Sequence, residues 1–467
     1  MKRRQFWQIT LASAAGIIGC QQSRRLDLGD RPTEKTNSLS IPVRPSVIPT
    51  EVKVIVDWSS AIAQTTPLMF GSNDYEIIYP ERAADSKFQS LLSELNIPLI
   101  RIHHAELSEQ WTDHTRQTWD ENKIKAGYDA SYSYRPQIVQ NIPRWPSWMA
   151  QDSSGLLSAE EYDRYANFCA ELVNILNHKQ NRNVLYWEPL NELDQTYQEA
   201  GKLEQLWQIY NRAAIAMKRA DGRIKIGGPV LTWDNSEILE SFLSKCHQNV
   251  DFISWHSYAS GDASDPTEKI MAFTEKYGEQ TRRFRSLVGK YLPQRQIPLF
   301  LSEYNINYTW DSGENRQNTY LGAVWFASVL KHLADAQIDM AAFWHLKDGI
   351  YGAIDPDNRL RASALLFSWA ANYLTGTVVK TQSDRPWLET MAIQQQNHHH
   401  SLLLINKSAE AARVSLIGAN AYFARGKTTT HSININGVRV FSTPDNVNLK
   451  GLDLKPYSLL LLRTVSN

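Results

Sequence analysis

Two short stretches carry residue types able to make and break covalent bonds. Tyr186-Trp187-Glu188-Pro189-Leu190-Asn191-Glu192 sets an amide beside a carboxyl, and Phe300-Leu301-Ser302-Glu303-Tyr304-Asn305 sets a second carboxyl between a hydroxyl and an aromatic ring. Two carboxyls can divide labour, one holding a proton as general acid and one attacking as an anion, if their surroundings push their proton affinities apart. That chemistry needs Glu192 and Glu303 to meet, so the fold must bring together two segments distant in sequence. The HExxH and Gly-x-Ser-x-Gly signatures are absent, which removes metalloprotease and serine-hydrolase readings.

The elements that must position these residues are legible as an alternation. Short apolar runs at Leu68–Gly71, Leu99–His103, Gln137–Ile142, Val184–Trp187, Ile224–Gly227, Phe252–Trp255, Leu299–Ser302 and Met340–Trp344 read as strands covered on both faces. Amphipathic stretches separate them. In Ala159–His178, for example, Tyr162, Tyr165, Cys169, Leu172 and Ile175 recur at three and four residues and make one apolar stripe. Strict alternation over residues 65–378 predicts an α/β chain with a (β/α)8 barrel, in which functional groups gather where the strands end. Glu192 closes strand four and Glu303 closes strand seven, so both reach the same mouth. No G-x-G-x-x-G or Walker loop follows a strand, which weakens the competing doubly wound sheet. After residue 378 the runs Ser401–Ile405, Ala412–Leu416, Ser432–Ile435, Arg439–Phe441 and Ser458–Arg463 predict a C-terminal antiparallel β-sandwich over 379–467. Residues 51–64 have strand character as well and are expected to add a strand to it.

Composition narrows the class. Of 467 residues, 42% are hydrophobic and 21% charged, enough for a large core and against global disorder. Lys+Arg and Asp+Glu are both 49, so the basic surplus expected of a nucleic-acid partner is missing. Three cysteines cannot frame a disulfide scaffold, and Cys169 and Cys246 are expected as buried free thiols. No internal repeat is evident. At the N-terminus, Lys2, Arg3 and Arg4 precede an apolar run over Ile9–Ile18 that is too short to span a bilayer. Residues 1–20 therefore read as an export signal, and Ile17-Ile18-Gly19-Cys20 resembles the lipobox of bacterial lipoproteins, with Cys20 the residue lipidated. Arg3-Arg4-Gln5-Phe6 also resembles a twin-arginine signal. Residues 21–50, polar and with Pro32, Pro42, Pro45 and Pro49, read as a tether. The expected location is periplasmic or cell-surface, with membrane attachment only through the lipid.

Trp-Glu-x-x-Asn-Glu ending strand four, with Ser-Glu-aromatic-Asn ending strand seven, resembles clan A glycoside hydrolases and most closely family 39, which includes β-xylosidases and α-L-iduronidases. The resemblance implies a retaining O-glycosidase acting on a carbohydrate, with Glu192 as acid/base and Glu303 as nucleophile, and it implies no cofactor or metal. Asn191 matches the residue that meets the sugar 2-hydroxyl. Tyr258, in Trp255-His256-Ser257-Tyr258, resembles the tyrosine that hydrogen-bonds the nucleophile, and Trp344 resembles the sugar-stacking platform. Arg101 and His103 face one side of strand two, two residues apart. They match an Arg-x-His pattern that usually continues with Gly, where this chain has His104. His256 and His103 are candidate substrate contacts whose bland alternative is a satisfied buried histidine. Trp145 and Trp148, after strand three, are candidate subsite residues or lid packing. Glu188 precedes Pro189 and is assigned a supporting role. His398-His399-His400 reads as a solvated hairpin turn, not a metal site. Families 5, 30, 44 and 51 share enough clan features to remain alternative labels. The reading from a different class is a non-catalytic glycan-binding lipoprotein on a degenerate barrel. The presence of both glutamates speaks against it, because a binding module has no use for an acid/base pair.

Overall fold

The computed structural model describes residues 49–464, apart from 130–133, 397, 420–421, 424–427 and 443–450. The signal-like segment, Cys20 and the tether to residue 48 lie outside the described residues. No helix among the described residues is long and apolar enough to cross a membrane.

Eight parallel strands close a barrel in chain order: Gly71–Asp74, Leu99–Ile102, Gln137–Asn141, Tyr186–Glu188, Lys225–Leu231, Phe252–Ser260, Leu299–Asn307 and Met340–Phe343, numbered one to eight below. The first differs from expectation. The apolar run Pro67–Phe70 is a 3-10 turn begun by a proline, and strand one is the polar segment Gly71-Ser72-Asn73-Asp74 that follows. The lower barrel is plugged by Leu99, Val139, Phe252, Phe300 and Met340. Gly227 is required there, because a Cβ would lie 2.0 Å from the Phe252 ring. Above this plug the inward positions turn polar: strand two presents Leu99, then Arg101, with His103 beyond its end, and strand six presents Phe252, Ser254, His256 and Tyr258.

Two register shifts aim the mouth. Leu301 pairs with Trp255 but Glu303 pairs with His256, so Ser302 is an extra residue on strand seven. Without it Glu303 would share the outward parity of Leu301; the bulge turns it inward beside His256. On strand five, Pro229 pairs with Ser254 and Leu231 with Trp255, leaving Val230 as the extra residue. Val230 adopts φ 57°, a rare conformation for a β-branched residue, and its carbonyl accepts the Glu192 N–H at 3.0 Å. Glu192 is itself left-handed at φ 51°. Each such residue costs on the order of 1 kcal/mol or more, and such strain clusters where a side chain must be aimed.

Among the described residues the sandwich forms from one continuous sheet of nine strands, antiparallel except where Thr50–Gln64 runs parallel to Ala412–Ile417. Thr50–Gln64 also pairs antiparallel with Thr377–Ser383, so the N-terminal strand sits inside this sheet. Val52, Val54 and Val56 from this strand share one core with Leu402, Leu404, Leu460 and Leu462, which requires the sheet to curl over on itself. Helix Tyr320–Asp335 of the barrel meets the sheet at a buried polar cluster. Glu389 accepts from Ser328 (2.5 Å) and pairs with His332 (2.7 Å) and Lys407 (2.5 Å). Cys169 and Cys246 are buried free thiols. The His399 carbonyl accepts from Gln395 N–H at 2.9 Å, closing a hairpin between Leu388–Gln394 and His400–Asn406.

Candidate active site

Arg101 is the hub. It is fully buried, and its three nitrogens serve four acceptors: Nε donates to Glu188 (2.6 Å), Nη1 to Glu303 (2.7 Å) and Asn73 (3.0 Å), and Nη2 to the Asn191 side-chain oxygen (2.6 Å). Two consequences follow. Glu188, fully buried beneath the mouth, is the counter-ion of Arg101 and cannot reach a substrate. Asn191, with its oxygen committed, leaves its amide nitrogen free to donate towards the mouth.

Glu303 is 4% exposed, and its other oxygen accepts from the Tyr258 hydroxyl at 2.9 Å. Burial raises its proton affinity above the ordinary carboxyl value; His256, Arg101 and the Tyr258 hydroxyl oppose that shift without reversing it, and Glu192 adds to it. His256 joins the two glutamates, with Nδ1 2.7 Å from Glu192 and Nε2 3.5 Å from Glu303. Burial lowers its pKa to about 4, so the ring is neutral near pH 7 and carries a single proton. Glu192, His256 and Glu303 present atoms all within 4.8 Å of one another. These atoms are already engaged, Glu303 with Arg101 and Glu192 with His256, in a chain of donors and acceptors suited to proton exchange.

His103 donates from Nδ1 to the Asn141 oxygen at 2.8 Å, an orientation fixed because the Asn141 amide nitrogen donates to the Leu190 carbonyl at 2.8 Å. Its Nε2 is therefore an acceptor facing the mouth, 3.9 Å from Glu303. The Trp344 ring lies 5.7 Å from His103 and 5.2 Å from Tyr75, forming a floor with both. His104, in place of the usual glycine, accepts the Glu106 N–H at Nδ1 (3.0 Å), so its proton sits on Nε2 and is donated to the Tyr79 hydroxyl (3.1 Å). Its ring packs at a tilt on Tyr75, centroids 4.0 Å apart, so this histidine packs one wall of the mouth.

The structure thus brings together Glu192, Glu303, Asn191, Tyr258, His256, Arg101, His103 and Trp344. It does not bring Trp145 to the mouth. Trp145 is 2% exposed and wedged edge-on against Tyr165 and Tyr197, and Trp148 packs on Phe168 under Arg164. Both tie the strand-three loop to helix Tyr162–Val173 and offer no open face to a sugar. Sequence reasoning missed Asn73, Tyr75 and Asn141. Asn73 was hidden by the displaced strand one. Asn141 closes strand three and was available to the strand-end rule that found the others.

Comparison with known proteins fits this geometry. Residues 175–356, which span strands four to eight, match Glycosyl hydrolases family 39. Two curated relatives are similar over the same order of length. The Beta-xylosidase of Geobacillus stearothermophilus is 28% identical over 161 residues, 32% of this chain and 31% of the relative. That of Caldicellulosiruptor saccharolyticus is 28% identical over 154 residues, 31% of each. The chain therefore spans under a third of the length of these relatives. Among solved structures, the GH39 enzyme from Xanthomonas axonopodis pv. citri superposes with a TM-score of 0.64 at 14% identity, covering 91% of this chain and 99% of that one. The GH51 arabinofuranosidase from the same organism gives 0.68 at 15%, covering 89% and 100%. These structural likenesses concern the fold. The similarity in sequence to family 39 glycosyl hydrolases runs through the strands that carry Glu192 and Glu303.

Proposed function

We propose that the chain is a retaining O-glycoside hydrolase, β-xylosidase-like in substrate class, exported and held at a membrane surface through Cys20. The observation that carries the mechanism is the proximity of Glu192 and Glu303. Retaining enzymes hold their two carboxyls about 5–5.5 Å apart, whereas inverting ones leave about 6.5–9.5 Å for a water. Oxygens within 4.8 Å of each other favour the first.

The surroundings support a division of roles. Glu303 has the arginine and phenol that stabilise an anion, whereas Glu192 is partly open to the mouth and bonded to an imidazole. With His256 neutral, a protonated Glu192 can donate to Nδ1 while Nε2 carries the ring proton 3.5 Å from the Glu303 carboxylate, which keeps proton and charge on the required residues. In the first step Glu303 forms an ester bond to the anomeric carbon, the glycosidic C–O bond breaks, and the Glu192 proton passes to the leaving oxygen. In the second, Glu192 takes a proton from water, the water oxygen bonds the anomeric carbon, and the ester to Glu303 breaks. The Asn191 amide donates to the sugar 2-hydroxyl throughout. Proton NMR of the first sugar released from an aryl xyloside tests this reading: the same anomer as the substrate is expected, and the opposite anomer refutes it.

A further inference from the structure

The two glutamates divide the barrel mouth. Glu192 leaves strand four and Glu303 sits on strand seven, so strands eight, one, two and three lie on one side of them and strands five and six on the other. The first arc holds Trp344, Tyr75 and His103, and the resemblance of Trp344 to the sugar-stacking platform puts the reacting ring there. A bond cut on the dividing line sends its other half over strands five and six.

Two aromatic rings flank that second arc, one from the end of strand five and one from the end of strand seven. Trp233 follows strand five and Tyr308 follows strand seven, and their rings meet edge to face with centroids 5.1 Å apart. Both approach Tyr258, at 6.4 and 6.5 Å. Tyr308 is 38% exposed and Trp233 is only partly buried. The Trp233 indole N–H donates to no group of the described residues. A large apolar ring left open, with an unspent donor on its edge, matches a pyranose, whose C–H face stacks on the ring while a hydroxyl accepts the N–H. Space for Tyr308 depends on Gly261, where a Cβ would lie 2.1 Å from the phenol oxygen.

The arc is also fixed relative to the proton donor. Val230 holds the Glu192 N–H, and the Asp194 carboxylate accepts from both the Thr232 N–H (2.9 Å) and its hydroxyl (2.7 Å). Trp233 is the next residue, so its position follows that of Glu192.

We infer that Trp233 and Tyr308 form a binding platform for the leaving sugar, so the substrate is an oligosaccharide and not a glycoside of a small alcohol. The inference rests on the assignment of Glu192 and Glu303 above. Its test compares kcat/KM for two substrates that share a glycone, a disaccharide and the corresponding glycosyl fluoride, with the glycone taken from xylose, glucose, galactose and arabinose. Fluoride leaves without a platform. Trp233→Ala is expected to lower kcat/KM for the disaccharide by about tenfold or more and for the fluoride by less than about twofold. Trp233→Tyr, which keeps a ring, is expected to recover part of the loss; it and Tyr308→Ala carry the test if Trp233→Ala does not fold. Equal losses on both substrates, or none on either, overturn the platform. Turnover of no substrate by the wild-type chain overturns the glycosidase reading and the platform with it.

Discussion

Replacing Tyr258 by Phe removes one oxygen from the site and takes from Glu303 Oε2 its hydrogen-bond donor. The ring keeps its packing with Trp344 and Tyr351, and Glu303 keeps Arg101 at 2.7 Å. The lost bond is a 2.9 Å contact between a buried hydroxyl and a buried carboxylate. A hydrogen bond to a charged group is worth about 1.5–3 kcal/mol, and one pKa unit corresponds to about 1.4 kcal/mol. Glu303 already has a raised proton affinity, and the phenol opposes that rise, so its loss raises the carboxyl further, by roughly one to two units. On the double-displacement reading Glu303 must be ionised to attack, so the acidic limb of kcat/KM follows its pKa. The limb in the wild-type chain is expected above the ordinary carboxyl value of 4.5. In Tyr258→Phe it moves up by about one to two pH units, giving a loss of about ten- to a hundredfold on the acid side that shrinks as pH rises. The assay is a pH series of kcat/KM on an aryl glycoside, with thermal unfolding to confirm that the variant folds. A loss uniform across pH refutes the argument, because it means the hydroxyl contacts substrate and does not set the ionisation of Glu303.

Two further expectations follow from other parts of the molecule. Asn191→Ala removes the amide assigned to the sugar 2-hydroxyl, so kcat/KM falls about tenfold or more on ordinary glycosides but little on their 2-deoxy analogues; equal losses on both contradict the assignment. At the junction of barrel and sheet, His332 and Lys407 hold Glu389 down from 4.5 to about 2, which is worth roughly 3 kcal/mol of stability. A depressed carboxyl stabilises above its unfolded pKa and loses that contribution as pH falls towards 2. Glu389→Gln should therefore lower Tm at pH 7 and flatten the dependence of Tm on pH between about 5 and 2; a variant with the wild-type slope shows that another group carries the acid sensitivity.

The sequence disclosed what repeats and hid what is singular. Seven barrel strands announce themselves as apolar runs because both their faces are covered. Strand one is Gly71-Ser72-Asn73-Asp74, and it escaped a search for apolar runs because its inward positions serve Arg101 and not the core. The aim of Glu303 depends on Ser302 being one residue too many for the ladder, a fact of pairing between strands six and seven that neither strand states alone. Strand-end reasoning put Glu192, Glu303, Tyr258 and Trp344 at one mouth, where they do lie, because the barrel strands all end there. It failed for Trp145, whose loop folds back onto Tyr165 and Tyr197, since a loop tryptophan can stack on a sugar or on its own chain with the same sequence context. Thr377–Ser383 and Leu388–Gln394 went unread as strands because they mix polar residues into a two-faced sheet.

The central claim is that Glu303 bonds covalently to the sugar. Mass spectrometry of residues 26–467 incubated with 2-deoxy-2-fluoro xyloside, glucoside, galactoside and arabinoside tests it directly. The slowed second step should leave one member of the panel attached, and fragmentation should map the added mass to Glu303. An adduct on another residue contradicts the assignment. No adduct with any member, joined by no hydrolysis of polysaccharides, contradicts the account and favours a glycan-binding barrel without turnover.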